Sequence, residues 1–104
     1  MYILNAFSAN MLVGGFPASV KFTEVSTAKA ADMAEGAVSA VGHADTAALF
    51  SRVLGVEVAA NRATVALYRG NVAILGQYSG PRLPEGTTEL PAGAKITWLL
   101  VEVS

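Results

Sequence analysis

Lys95-Ile96-Thr97-Trp98-Leu99-Leu100-Val101-Glu102-Val103 decides the fold. The run holds neither Gly nor Pro and is rich in β-branched and aromatic side chains, the composition of a strand. Its apolar residues are nearly continuous rather than alternating, which predicts burial on both faces and a central place in a sheet. Working outward, Gly80, Pro81, Pro84 and Gly86 make the preceding stretch a loop. Val72 to Tyr78 and Ala63 to Tyr68 are β-like runs on either side of Arg69-Gly70-Asn71, and they are read as a hairpin. Further upstream the period changes. Asp45, or the residue before it, starts a helix through Val53 with Ala48, Leu49 and Val53 on one apolar face and Gly55 as its stop. Ser26 is an N-cap for a second, alanine-rich helix over Thr27 to Ala34, ended near Gly36. Ser19 to Val25 alternates as a strand, Tyr2-Ile3-Leu4 is a brief apolar one, and Gly14, Gly15 and Pro17 turn the chain between them. Val38 to Val41 is too short to classify. The expectation is an α/β fold: a single compact domain over residues 1–104, with a mixed β-sheet of about five strands and flanking helices.

Composition constrains what such a domain does. The chain is 53% hydrophobic and only 14% charged, against about 25% charged for an ordinary soluble domain. Polar surface is therefore scarce for a monomer, and a homodimer is expected to bury part of the apolar surface. Met1 to Leu12 carry no basic segment, and the apolar runs break well short of about 20 residues, so neither a signal peptide nor a membrane span is expected. The expected location is the cytoplasm. A net charge of -1 argues against binding long nucleic acid nonspecifically, since that needs a broad positive field. A small anionic ligand held by a few placed arginines stays open. Without cysteine there is no thiol nucleophile, disulfide or thiolate metal site. His43 is the sole histidine, so it is the first candidate for proton transfer near neutral pH.

Polar clusters stand at the ends of the expected elements, where binding and catalytic groups usually sit. Asn5, Ser8 and Asn10 follow the first strand and can offer amide and hydroxyl groups to a ligand, or can simply satisfy loop backbone. Gly42-His43 with Asp45 and Thr46 sets an imidazole at a helix N-terminus, whose free amides favour a neighbouring anion. A lone histidine can equally be structural. In Arg82-Leu83-Pro84-Glu85-Gly86 a guanidinium suited to phosphate and a carboxylate share a proline-stiffened loop, and a solvated ion pair is the alternative. Asn61-Arg62 and Gln77 would face each other across the expected hairpin and line one pocket, or merely solvate an edge strand.

Taken together these segments resemble the ring nucleases of the viral type III anti-CRISPR family, members of which also occur in cells. The resemblance is carried by Asn5-Ala6-Phe7-Ser8-x-Asn10-Met11-Leu12, Gly42-His43-x-x-Thr46, Asn61-Arg62 and Arg82-Leu83-x-Glu85-Gly86, in order along the chain. It implies a phosphodiesterase without metal or cofactor that opens cyclic tetra-adenylate into linear di-adenylates ending in a 2′,3′-cyclic phosphate. The messenger of type III CRISPR signalling would thereby be removed. It further implies His43 as general acid, Arg82 holding the phosphate, and Glu85 orienting His43 or the attacking hydroxyl. Asn5, Ser8, Asn10, Thr46, Arg62 and Gln77 would contact the substrate, and the active form would be a homodimer. Two other classes stay open on the residues alone: a sponge that binds a cyclic nucleotide without cutting it, and a structural dimeric module.

Overall fold

The computed structural model describes all residues 1–104. Strands β1 (Tyr2–Leu4), β2 (Val20–Val25), β3 (Val38–Ser39), β4 (Val72–Ser79) and β5 (Lys95–Val103) form one sheet in the order β2-β5-β4-β1-β3. Helices α1 (Thr27–Ala34) and α2 (Ala44–Leu54) follow β2 and β3, and a single 3-10 turn spans Ala9–Met11. The sheet is mixed. β1 pairs in parallel with β3 and β4, whereas β5 runs antiparallel to both of its neighbours, β4 and β2. All strands but β5 therefore point the same way, and their carboxyl ends share one edge of the sheet.

Local chemistry explains the helices. The Ser26 hydroxyl accepts the Lys29 amide at 3.1 Å and caps α1. Gly55, at φ 72°, ends α2 in the left-handed conformation that costs glycine nothing, and its amide closes on Ser51 O at 2.9 Å. Phe50 and Leu54 face the sheet from α2, and Ala30 and Ala34 from α1. Together with Ile3, Ile74 and Trp98 they form the larger core on the helical face.

The other face carries a second core of Leu4, Ala73, Leu75, Val101 and Val103, covered by Val65 and Leu67. These covering residues correct the sequence reading. Ala63 to Tyr68 is not a strand of the sheet, and the expected hairpin does not form. The Arg69-Gly70-Asn71 turn exists, with the Tyr68 amide donating to Asn71 Oδ1 at 2.9 Å. However, both edges of β4 are already taken, by β1 and β5, so the chain before the turn leaves the sheet plane. It lies across the second face, packed on the core through Val65 and Leu67, and its one β-pairing is a parallel bridge between Leu67 and Leu12. The fifth strand is instead β3, which pairs with β1 at Val38 and Ser39. β5 is interior as expected, and β4 holds the middle.

Helix α2 lies close to the sheet because Gly76 has no side chain. A Cβ there would stand 2.5 Å from Trp98 Cζ3 and 2.6 Å from Phe50 Cζ. Phe50 and Trp98 meet edge to face above it, ring centroids 4.9 Å apart. Gly76→Ala is expected to destabilise the protein by about 1–3 kcal/mol through overpacking. Chemical denaturation checks this, and a variant as stable as the parent would show that α2 can yield without cost.

Candidate functional site

Seating α2 on the sheet places its N-terminus at the carboxyl edge of the parallel strands. In open α/β sheets ligands bind in the crevice outside that edge. Four connections leave it: the segment after β1, Ser26 between β2 and α1, the Ala40–His43 lead into α2, and the Gly80–Ala94 loop between β4 and β5.

His43 is the N-cap residue of α2 in extended conformation. Its carbonyl accepts the Ala47 amide at 2.9 Å, but its side chain makes no capping bond. The imidazole is exposed and free for other work. It lines an open hollow of about 860 Å³, shared with Asp45 and Thr46 from the first turn of α2, Tyr78 from β4, and Arg82 and Glu85 from the loop. The structure thus brings together His43, Thr46, Arg82 and Glu85, which stand far apart in the sequence. Neither Arg82 nor Glu85 is consumed in an ion pair, since the molecule's only salt bridge joins Arg52 to Glu89 at 2.9 Å. His43, Asp45 and Glu85 do not converge closely enough to hold a metal ion. What faces the hollow is an imidazole, a guanidinium, two carboxylates and hydroxyls. That set can bind a phosphate and give or take a proton beside it.

Asn5 and Gln77 lie elsewhere. Residues alternate faces along β4, so Tyr78 faces the His43 hollow while Gln77 lines a second one of about 480 Å³ on the opposite face. There Asn5 and Gln77 stand over Phe7, Phe22, Leu75 and Leu99. Phe7 and Phe22 pack edge to face, centroids 5.5 Å apart, yet Phe22 remains 47% exposed. Ser8 and Asn10 line neither hollow. The Ser8 hydroxyl accepts the Asn10 amide at 3.3 Å and starts the 3-10 turn, as the loop-satisfying alternative would have it.

Asn61 and Arg62 are not across from Gln77, because the hairpin that would have aligned them is absent. They brace the approach to His43 instead. Asn61 Nδ2 donates to Ser39 O at 2.7 Å, and its backbone amide to Val41 O at 2.8 Å. Buried Ser39 donates its hydroxyl to Ala59 O at 2.6 Å and accepts the Val41 amide at 3.2 Å. Arg62 Nε reaches Gly42 O at 3.4 Å, with its stem over a glycine whose Cβ would stand 3.0 Å from Arg62 Cγ. Arg62 is therefore next to His43 along the chain lead without lining the hollow.

Sequence reasoning did not single out Tyr78. Its hydroxyl donates to Pro81 O and fixes the loop one residue before Arg82. The available signal was its position, the last aromatic of β4 before a Gly-Pro break and of opposite parity to Gln77.

Comparison with known proteins agrees with this architecture. A family model described as STIV B116-like matches residues 1–93, a span that includes every residue lining the His43 hollow. Among solved structures, B116 of Sulfolobus turreted icosahedral virus is similar, with a TM-score of 0.81 and 27% sequence identity over 97% of each chain. No curated protein matches. No helix is long and apolar enough to cross a membrane.

Asn61→Ala is expected to lower stability by about 1 kcal/mol, the worth of a typical hydrogen bond, and to leave ligand affinity unchanged. Thermal unfolding and a binding titration check this together, and weakened binding at unchanged stability would place Asn61 in contact with the ligand.

Proposed function

We propose that this chain, which belongs to the STIV B116-like family, is a metal-independent phosphodiesterase that opens cyclic tetra-adenylate into linear di-adenylates. The observation that carries this reading is the meeting of His43, Arg82 and Glu85 in one open hollow at the carboxyl edge of the sheet. None of the three is tied up in a side-chain hydrogen bond or salt bridge.

The nucleophile is supplied by the substrate. A ribose 2′-oxygen attacks the phosphorus on its own 3′-oxygen, and the bond from phosphorus to the 5′-oxygen of the next nucleotide breaks. The products of that cut are a 2′,3′-cyclic phosphate and a 5′-hydroxyl. The protein has only to align the groups, stabilise charge and move protons. Protonated His43 gives its proton to the departing 5′-oxygen. Arg82 holds the phosphate oxygens with its planar donor fork as negative charge grows. Glu85 orients the imidazole or polarises the 2′-hydroxyl, whose proton leaves to the carboxylate or to water. Thr46 and the unpaired amides of the first turn of α2 add donors for the phosphate. Removing the ring would end type III CRISPR signalling in the cytoplasm where that messenger acts.

The ring is shared between two copies of the chain. The low charged fraction of 14% and the exposed Phe22 support a second copy, which would cover apolar surface, and a symmetric ring suits a two-fold site that doubles Arg82. Two cuts in one ring then yield two di-adenylates. Light scattering on the eluting protein is expected to give twice the 10.7 kDa chain mass, and a monomer at the concentration that supports cleavage would contradict the shared site.

With a chelator present, His43→Ala is expected to slow cleavage by roughly 10²- to 10⁴-fold, the worth of a general acid, while ring affinity holds. Arg82→Ala is expected to weaken both binding and turnover. Cleavage at the parent rate by His43→Ala would remove His43 as the acid, and unchanged affinity in Arg82→Ala would place that guanidinium outside the site.

A further inference from the structure

We infer that Asp45 is a positioning residue for this reaction: it ties the turn carrying Glu85 to the helix end carrying His43, an inference that rests on the reading of the site just given. Pro84-Glu85-Gly86-Thr87 forms a tight turn, in which the Thr87 amide and hydroxyl both donate to Pro84 O, at 3.1 and 2.6 Å. Gly86 occupies its third position at φ 81°, the left-handed geometry of a type II turn. The amide of that third residue takes no part in closing the turn. Here it donates to Asp45 Oδ2 at 3.2 Å.

The placement of this bond is what gives it a role. Asp45 is two residues past His43 in the first turn of α2, and Gly86 immediately follows Glu85. One hydrogen bond therefore spans the imidazole and carboxylate arms of the hollow. The only other polar link from the Gly80–Ala94 loop to α2 is Arg52–Glu89, at the far end of the helix, with side chains 67% and 73% exposed. A solvent-exposed ion pair of that kind holds geometry weakly. Tyr78 anchors the stem of the loop at Pro81, before Arg82, and so leaves the Glu85 turn to Asp45. Misplacing a reacting group by about 1 Å can cost 10²-fold in rate. Asp45 thus acts on the chemistry through Glu85 without touching the reacting atoms.

Asp45 also places a negative charge at a helix N-terminus, and the two contributions can be separated. Asparagine keeps the carbonyl-type acceptor and loses the charge, whereas alanine loses both. The experiment compares the parent with Asp45→Ala, Asp45→Asn and Glu89→Gln by hydrogen exchange of the Gly86 amide, single-turnover cleavage of cyclic tetra-adenylate, ring affinity and melting temperature. In Asp45→Ala, Gly86 is expected to lose protection and cleavage to slow by roughly 10- to 100-fold, with affinity and melting temperature close to the parent's. Asp45→Asn is expected to restore both protection and rate, and Glu89→Gln to change neither. Unchanged Gly86 protection in Asp45→Ala overturns the inference, as does parent-like cleavage once protection is lost, or an asparagine variant as slow as the alanine one. A parent protein that binds the ring and leaves it whole overturns the proposed reaction instead, and Gly86 exchange in the same samples still decides whether Asp45 holds the turn.

Discussion

The contact of Phe50 and Trp98 over Gly76 is the constraint on which the rest of the structure depends. Because Gly76 presents no Cβ, two aromatic rings fill the space above the middle strand and α2 is held against the sheet at that point. Both rings are essentially fully buried, in an interior where packing tolerates little change in volume. Once α2 is fixed there, its N-terminal end lies over the carboxyl edge of the sheet, and His43 is delivered beside the loop that leaves β4. Residues with no direct contact to the hollow thereby determine its shape.

Polar groups reach the site by different routes, and the fold sorts them by face. The period of β4 divides Tyr78 from Gln77, so one strand serves two hollows on opposite sides of the sheet. On the helical side the working groups are a potential proton donor, a cation and carboxylates. The other side offers amides above the half-buried Phe7 and the exposed Phe22, a surface whose composition suits a second protein chain. The approach to His43 is stiffened from below by Ser39 and Asn61, which bind backbone on both sides of the lead. Bracing of this kind is what a preorganised site requires, since charge stabilisation is effective only where the groups need not move during reaction.

Much of the fold was legible in the sequence, for local reasons. Ser26 and Gly55 mark helix ends by their own chemistry, and the composition of Lys95 to Val103 states its interior place in the sheet without reference to any partner. Ala63 to Tyr68 misled because its alternation describes an apolar face, which a segment lying over a sheet needs as much as a strand within it. Only the occupancy of both edges of β4, a long-range fact, distinguishes the two. β3 was illegible because two residues are too few to show a period. His43, Thr46, Arg82 and Glu85 were legible because glycine and proline place them at breaks in the chain. The work of Asp45 was not, since it acts on the Gly86 backbone that folding alone brings near; Tyr78 reaches the nearby Pro81 carbonyl, but nothing in the spacing says that its hydroxyl turns there.

The central claim is that the substrate's own hydroxyl makes the cut while His43 and Arg82 serve it. The identity of the new chain end tests this most directly, read by mass and phosphorus resonance after the purified protein meets cyclic tetra-adenylate in excess chelator. A linear di-adenylate with a 2′,3′-cyclic phosphate is the predicted product. An intact ring, or a product bearing an open monophosphate formed without a cyclic intermediate, would contradict it.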